Sequence, residues 1–250
     1  MRLLPWLGVT LALITWALFS AFIQPIFLPG PVAVFRAYWT LATQGDLWAH
    51  TGSTVWRTAA AFTGSSIAGL AVGIPLGRSR LANGLAEPLV DFFRSLPSPA
   101  LIPISMLLFG LGDLARIAVA LFTCTLINAV QAAFAVRSIP RRRVEAATIL
   151  GADRWRLISG VLVPSMLPAL VAGWRITLSL ALIIIVVTEM FIGTHRGLGM
   201  IILDSHMLFR LPTMYAYVFQ VGMLGYILNK SIDHATRRLV HWEGQSGGHS

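Results

Sequence analysis

The sequence predicts an all-α membrane protein with about six transmembrane helices, and three observations predict it. Of 250 residues, 56% are hydrophobic and only 12% charged, about half the charged share of a soluble domain. The apolar residues gather into runs of roughly twenty, the length a helix needs to cross a bilayer. Basic residues are then divided unevenly between the loops that join these runs, as membrane topology requires.

The first span is expected from Leu3 to Ile23. Its apolar core is longer than that of a signal peptide, so it reads as uncleaved. Pro25, Pro29, Gly30 and Pro31 end it, and 30–53 reads as an amphipathic connection with interfacial Trp39 and Trp48. The division is therefore 1–53, a transmembrane core over 54–240, and a flexible tail over 241–250 containing GQSGGHS.

The second span is expected over about Thr54–Leu76. Ser65, Gly69, Gly73 and Gly77 recur every fourth residue, which bares one helix face for close approach by another helix. The third, about Pro88–Phe109, carries Pro97, Pro99 and Pro103 and should be bent or broken. Asp91, Ser95, Ser98 and Ser105 would share a face of it only if the helix continued. After Gly110-Leu-Gly-Asp113 comes the fourth span, Leu114–Val136. The fifth runs from Ser165 to Met190, a mixed loop occupies 191–211, and the sixth spans Pro212–Leu228.

Six spans place both termini on one side. With the amino terminus inside, thirteen of the nineteen Lys and Arg lie on the cytoplasmic side, including Arg78, Arg80, Arg137, Arg141–Arg143, Arg154 and Arg156. Arg36, Arg57, Arg116, Arg196 and Arg210 fall outside, and Arg175 lies in the fifth span. The formal charge of +9 thus belongs to membrane-flanking loops, not to one basic face, and nucleic acid is not expected as a partner. The lone Cys124 excludes an intramolecular disulfide. No H-E-x-x-H occurs, and the one G-x-S-x-G string, Gly244–Gly248 in the glycine-rich tail, has no nucleophile context, so neither metal catalysis nor a hydrolase nucleophile has support.

Several polar residues stand inside apolar runs. Cys124, Asn128 and Gln131 share one face of the fourth span, either to hydrogen-bond a neighbouring helix or to line a wet passage. Glu189, near the outer end of the fifth span, needs a partner or water, and could line a solute path or stabilise an outer gate. Arg175 could snorkel or pair with a carboxylate such as Asp91. Candidate path residues are Ser98, Asn128, Gln131 and Glu189.

Between the fourth and fifth spans lies a polar island, EAATILGADRWRLISGVLVP (145–164). Glu145, Ala146 and Ala147 are followed by Gly151 and Ala152, and the island closes on Val161-Leu162-Val163-Pro164. Small alanines suit close contact with a partner surface, and Gly151 permits a turn out of a short helix. The pattern resembles the EAA loop of bacterial ABC importer permeases, with Val161 and Val163 replacing the usual Ile and Leu. Residues 89–113, 167–190 and 195–205 resemble the sulfonate, taurine, nitrate and bicarbonate permeases, although Thr188 stands where Ala commonly precedes the glutamate. The resemblance covers roughly 45–245.

The resemblance implies a type I importer permease whose coupling helix contacts a cytoplasmic ABC ATPase, together with a second copy of the permease and an extracytoplasmic solute-binding protein. The setting would be the bacterial inner membrane and its lipid. The only lysine, Lys230, lies outside any G-x-x-x-x-G-K-[ST] context. No cofactor is therefore expected on this chain, and ATP and Mg would be held by the partner. A small anion such as alkylsulfonate, taurine or nitrate is the cargo implied, with a pyrimidine- or flavin-type vitamin as alternative. A stand-alone secondary transporter or channel is a further alternative, which would need its own ion-coupling carboxylates.

Overall fold

Helices α3 (Leu47–Arg78), α6 (Asp113–Arg137) and α9 (Val163–Phe191) form the centre of the protein. A computed structural model describes residues 4–23 and 27–239, and every regular element among them is helical. The expected tail, 241–250, lies outside the described residues.

The remaining elements surround this trio. They are α1 (Leu4–Phe22), α2 (Pro31–Gln44), α4 (Arg80–Ser95), α5 (Ile102–Phe109), α7 (Arg141–Ile149), α8 (Arg154–Leu157), α10 (Leu198–Met207) and α11 (Leu211–Leu239). The chain doubles back at 110–112 and 192–197 at one end, and at 138–153 at the other. These are called below the Gly193 end and the Gly151 end.

Four helices are long and apolar enough to cross a membrane: Leu47–Arg78, Asp113–Arg137, Trp155–Phe191 and Leu211–His234. A fifth candidate is a pair, Arg80–Ser95 and Ser98–Phe109, bent by 94°. The expected first span is α1, whose 19 residues reach about 28 Å, close to the hydrocarbon thickness.

The α3–α6 contact follows from the small-residue stripe. A Cβ on Gly77 would lie 2.7 Å from Val136 Cβ, and Gly69 and Gly73 face Asn128, Ala129 and Ala132 equally closely. Backbones that approach this far maximise dispersion where no hydrophobic effect drives helices together. Val119, Ala120, Cys124, Ala181 and Ile185 complete one buried cluster around Ala61, and Leu182, Val186, Leu198 and Tyr217 form another around Leu47.

Several expectations are corrected. The connection at 30–53 divides into α2 and the first two turns of α3, which begins seven residues earlier than the expected Thr54. Pro88 lies inside α4 rather than opening a span. The real break falls at Leu96-Pro97, where Pro97 removes a donor and biases its predecessor to extended backbone. Asp91 and Ser95 therefore do not share a face with Ser98 and Ser105. The 191–211 loop contains α10. The fifth span starts at Trp155, ten residues before Ser165, because a π-helical turn at Ile158–Leu162 carries α8 into α9. Arg175 pairs with Asp233 on α11, while Asp91 pairs with Arg94, 3.6 Å away.

Candidate functional site

The Gly151 end is built from the EAA island. Arg141–Ile149 is helical, and Gly151 follows in the left-handed region at φ 78°. Gly151 N donates to Thr148 O, and Ala152 N to Ala147 O, both at 3.0 Å. This is a Schellman closure, which needs a residue that tolerates positive φ at that position. Asp153 then caps α8, its Oδ1 accepting from Arg156 N at 2.7 Å.

Glu145 and Ala146 are exposed on α7, whereas Ala147 and Ala152 are half-buried. Ile149 is 85% exposed, Leu150 86% and Trp155 74%. Apolar side chains in a segment that also carries Arg142, Arg143 and Arg156 form a surface that is neither lipid-like nor fully polar. A cavity of about 270 Å³ beneath α7 is lined by Arg78, Val136, Ile139, Val144, Glu145, Leu157 and Leu162, so the ends of α3 and α6 meet α7 and the π turn there.

At the Gly193 end, Glu189 is fully buried and Arg57 only 4% exposed. Arg57 Nη1 lies 2.6 Å from Glu189 Oε1, and Arg57 Nε 2.9 Å from Asp113 Oδ1. Arg57 also donates to Arg196 O at 2.7 Å and Thr194 Oγ1 at 3.3 Å. The Glu189 carboxylate further accepts from Thr54 Oγ1 and, at 3.0 Å, from Gly199 N. Leu198 N donates to Thr54 Oγ1 at 2.9 Å, and Gly197 N to His50 Nδ1 at 3.1 Å.

Arg116, 3% exposed, adds a second strut. It lies 2.5 Å from Asp113 Oδ1 and donates to the carbonyls of Leu111, Ile192 and Gly193. Of these pairs only Arg57–Glu189 is buried on both sides, and removing one member of it leaves an uncompensated charge, at a cost of about 3–5 kcal/mol.

The Gly-Leu-Gly sequence at 197–199 exists for this carboxylate. A Cβ on Gly197 would sit 2.6 Å from Glu189 Cδ, and one on Gly199 would sit 2.9 Å from Glu189 Cβ. Above the cluster opens a depression of about 800 Å³, lined by Ser53, Arg57, Asp113, Arg116, His195 and Arg196 among others.

The other sequence candidates lie between these ends. Asn128 Oδ1 accepts from Thr177 Oγ1 at 2.9 Å, and its Nδ2 donates to Ser65 Oγ at 3.4 Å. Cys124 Sγ approaches Thr177 O at 3.8 Å. The three central helices are thus joined by hydrogen bonds through Asn128. Gln131 packs its amide over Gly173, and its buried Oε1 has no hydrogen-bond partner. Ser98 is half-buried in the 3₁₀ turn at the α4–α5 bend. The structure brings Cys124 and Asn128 together against Thr177, but places Glu189 in the separate ionic cluster.

Sequence reasoning found Glu189 but missed Arg57, Arg116, Asp113 and Thr54. Counting charges places Arg57 and Arg116 on the outer side without giving them a partner, and both are buried in this cluster. The available signal was an arginine near the start of an apolar run and a carboxylate near the end of another, each costly alone in a membrane.

The family model described as "Binding-protein-dependent transport system inner membrane component" matches residues 65–242. That stretch contains the island and Glu189, whereas Arg57 precedes it. The taurine transport system permease protein of Escherichia coli (strain K12) is 28% identical over 89% of this chain and 82% of its own. The riboflavin transport system permease protein of Chloroflexus aurantiacus is 32% identical over 86% of this chain and 80% of its own. A chain of the MetNI methionine ABC transporter, solved in inward facing conformations, superposes with a TM-score of 0.63. It is 23% identical and covers 78% of this chain and 98% of that one.

Proposed function

Since the chain belongs to the binding-protein-dependent transport system inner membrane components, we propose that it moves a small anion inward through a path driven by an ATPase docked on α7. The chain is the non-catalytic permease subunit of an ABC importer in the inner membrane, and ATP hydrolysis belongs to a separate chain. That ATPase would hold ATP and Mg, and this chain would hold no cofactor.

One observation carries the coupling assignment. The α7 helix displays Glu145, Ala146, Ile149 and Leu150 outward, and its Gly151 closure turns the chain directly into α8, the π turn and α9. A push on this surface is delivered to a helix that carries Glu189 in its last turn. Excess positive charge in the neighbouring loops makes this the cytoplasmic end, with both termini on that side.

The protein would act as a homodimer surrounded by lipid. A solute-binding protein would dock at the opposite, outer end, near 30–53 and 191–211. ATP binding would close the ATPases, and the pull or push on Glu145, Ala146, Ala147, Gly151 and Ala152 would switch the path between two states. The path would pass Ser98 and Gln131, whose Oε1 has no hydrogen-bond partner within the protein, while Asn128 and Glu189 brace its wall.

The taurine relative supports a cargo bearing an anionic sulfonate group, as does the outer depression. Three guanidinium groups line it against Asp113, with Glu189 behind, and excess positive charge in a concave site raises local anion concentration. A second reading, a flavin- or pyrimidine-type heterocycle, is favoured by the riboflavin relative.

Reconstitution with the ATPase and binding protein in liposomes tests both parts. Taurine uptake should depend on ATP, and Glu145→Arg or Gly151→Asp should reduce it about tenfold or more with the protein still folded. Unchanged uptake and ATPase association in these variants would refute the coupling assignment. Riboflavin uptake in place of taurine would select the second cargo.

A further inference from the structure

Building on the alternating-access reading but not on the identity of the solute, we propose that Arg57 and Glu189 are positioning residues. They fasten α3, α6, α9 and α10 into one body that stays intact at its outer end throughout the cycle. The seam that opens to the outer solution then lies outside this body.

The buried pair joins separate pieces of chain. Thr54 comes from α3, Asp113 from the start of α6, Thr194 and Arg196 from the returning loop, and Gly199 from α10. Arg116 ties α6 to the carbonyls of Ile192 and Gly193 by an independent route. Sliding α9 along α3 at this level would separate a 2.6 Å ion pair and strand both charges away from water. Such rupture is strongly disfavoured, so motion follows seams that no fully buried ion pair crosses, such as that between α9 and α11, where Arg175, paired with Asp233, is half exposed.

Packing leads to the same partition. Glu189 fills the space that Gly197 and Gly199 leave open, with no margin for a side chain. An interface packed this closely has discrete arrangements and does not deform gradually. Nor is the cluster a ligand site, because Arg57 Nε, Nη1 and Nη2 all donate to acceptors of the protein itself.

Compliance in α9 is concentrated at its other end. The π turn at Ile158–Leu162 precedes Pro164, and Pro168 follows inside the helix. Prolines remove backbone donors and permit bending. From Ala169 to Phe191 the helix contains no further proline. Displacement of α7 would therefore bend the inner part of α9 and swing the fastened block as a unit.

The test uses the complete importer, permease with ATPase and binding protein, in liposomes. ATP hydrolysis is the readout, so no cargo needs to be known. Ser53→Cys and His195→Cys both face the outer depression, and the native Cys124 is buried. A short bismaleimide should link them with equal yield in nucleotide-free and vanadate-trapped transporter. Linked transporter should keep binding-protein-stimulated hydrolysis within about twofold of the unlinked rate. A yield that changes with nucleotide, or a fall in stimulation of about tenfold with basal hydrolysis intact, would overturn the proposal.

A second variant separates positioning from folding. Arg57→Met with Glu189→Leu removes the pair without leaving a lone buried charge. It should retain a cooperative thermal transition yet lose about tenfold or more of the binding-protein stimulation. Wild-type stimulation in the folded double variant would overturn the proposal, and if that variant does not fold, the cross-link decides. Failure of the importer reading itself would show differently, as wild-type protein whose ATPase does not respond to the binding protein.

Discussion

At Glu189, a carboxylate that would be prohibitive alone becomes a structural centre because glycine lies on two sides of it. A methyl group at Gly199 would come 2.9 Å from Glu189 Cβ and closer still to Val186 O. We expect Gly199→Ala to destabilise the protein by about 1–3 kcal/mol, the usual range for overpacking. Gly193→Ala, with nothing within 4 Å of the new Cβ, should leave the melting temperature unchanged. Thermal unfolding in detergent compares the two, and equal melting temperatures would remove the packing explanation. The need for a partner was legible at Glu189, from the expense of an acid in an apolar helix. The partner itself was not, because Arg57 lies 132 positions away and no local periodicity connects them. Gly151 was the reverse case: its neighbours Thr148 and Ala147, three and four positions back, decide its role, and a turn was expected there.

Among elements, the close-packing face of α3 was legible in advance because a four-residue small-residue period defines a helix face by itself, whereas α6 as the helix that fills it was not. Gly73 meets the backbone of Ala129 and the Cβ of Ala132, so Gly73→Leu should force the two helices apart. Loss of folded protein in a detergent-solubility assay is expected for Gly73→Leu. Gly52→Ala on the same helix opens into free space and should fold normally. If Gly73→Leu were tolerated, close backbone approach could not be what holds this pair. The α4–α5 break was foreseen from three prolines, but its 94° angle was not. Proline chemistry states where a helix stops, whereas the direction of the next segment is set by what it packs against. The start of the fifth span was misplaced for a related reason. Arg154 and Arg156 look like loop residues by polarity, yet a helix can extend beyond the membrane and remain helical in water.

For the molecule as a whole, composition and charge asymmetry were enough to indicate the class and the number of crossings to within one or two. Topology can be tested directly because the sequence has one cysteine, which is buried and should stay silent. A membrane-impermeant maleimide applied to intact cells should label His195→Cys and not Ser138→Cys. Opening the inner membrane should expose Ser138→Cys as well. Labelling in the opposite order would invert the assigned orientation, and with it the side on which α7 meets the ATPase.

The helical run from Trp155 to Phe191 has 37 residues, which corresponds to roughly 55 Å of rod. A bilayer with its headgroups is only about 40–45 Å thick. Even with moderate tilt, about a turn or two of this rod must stand clear of the lipid. Because the Trp155 end carries exposed Arg156 whereas the other end closes on apolar Met190 and Phe191, the overhang falls at Trp155 and the π turn. Under the proposed coupling, a water-soluble engine would grip the transmembrane machinery by a handle that already projects into its own solvent, and neither partner would give up its hydration shell to the membrane.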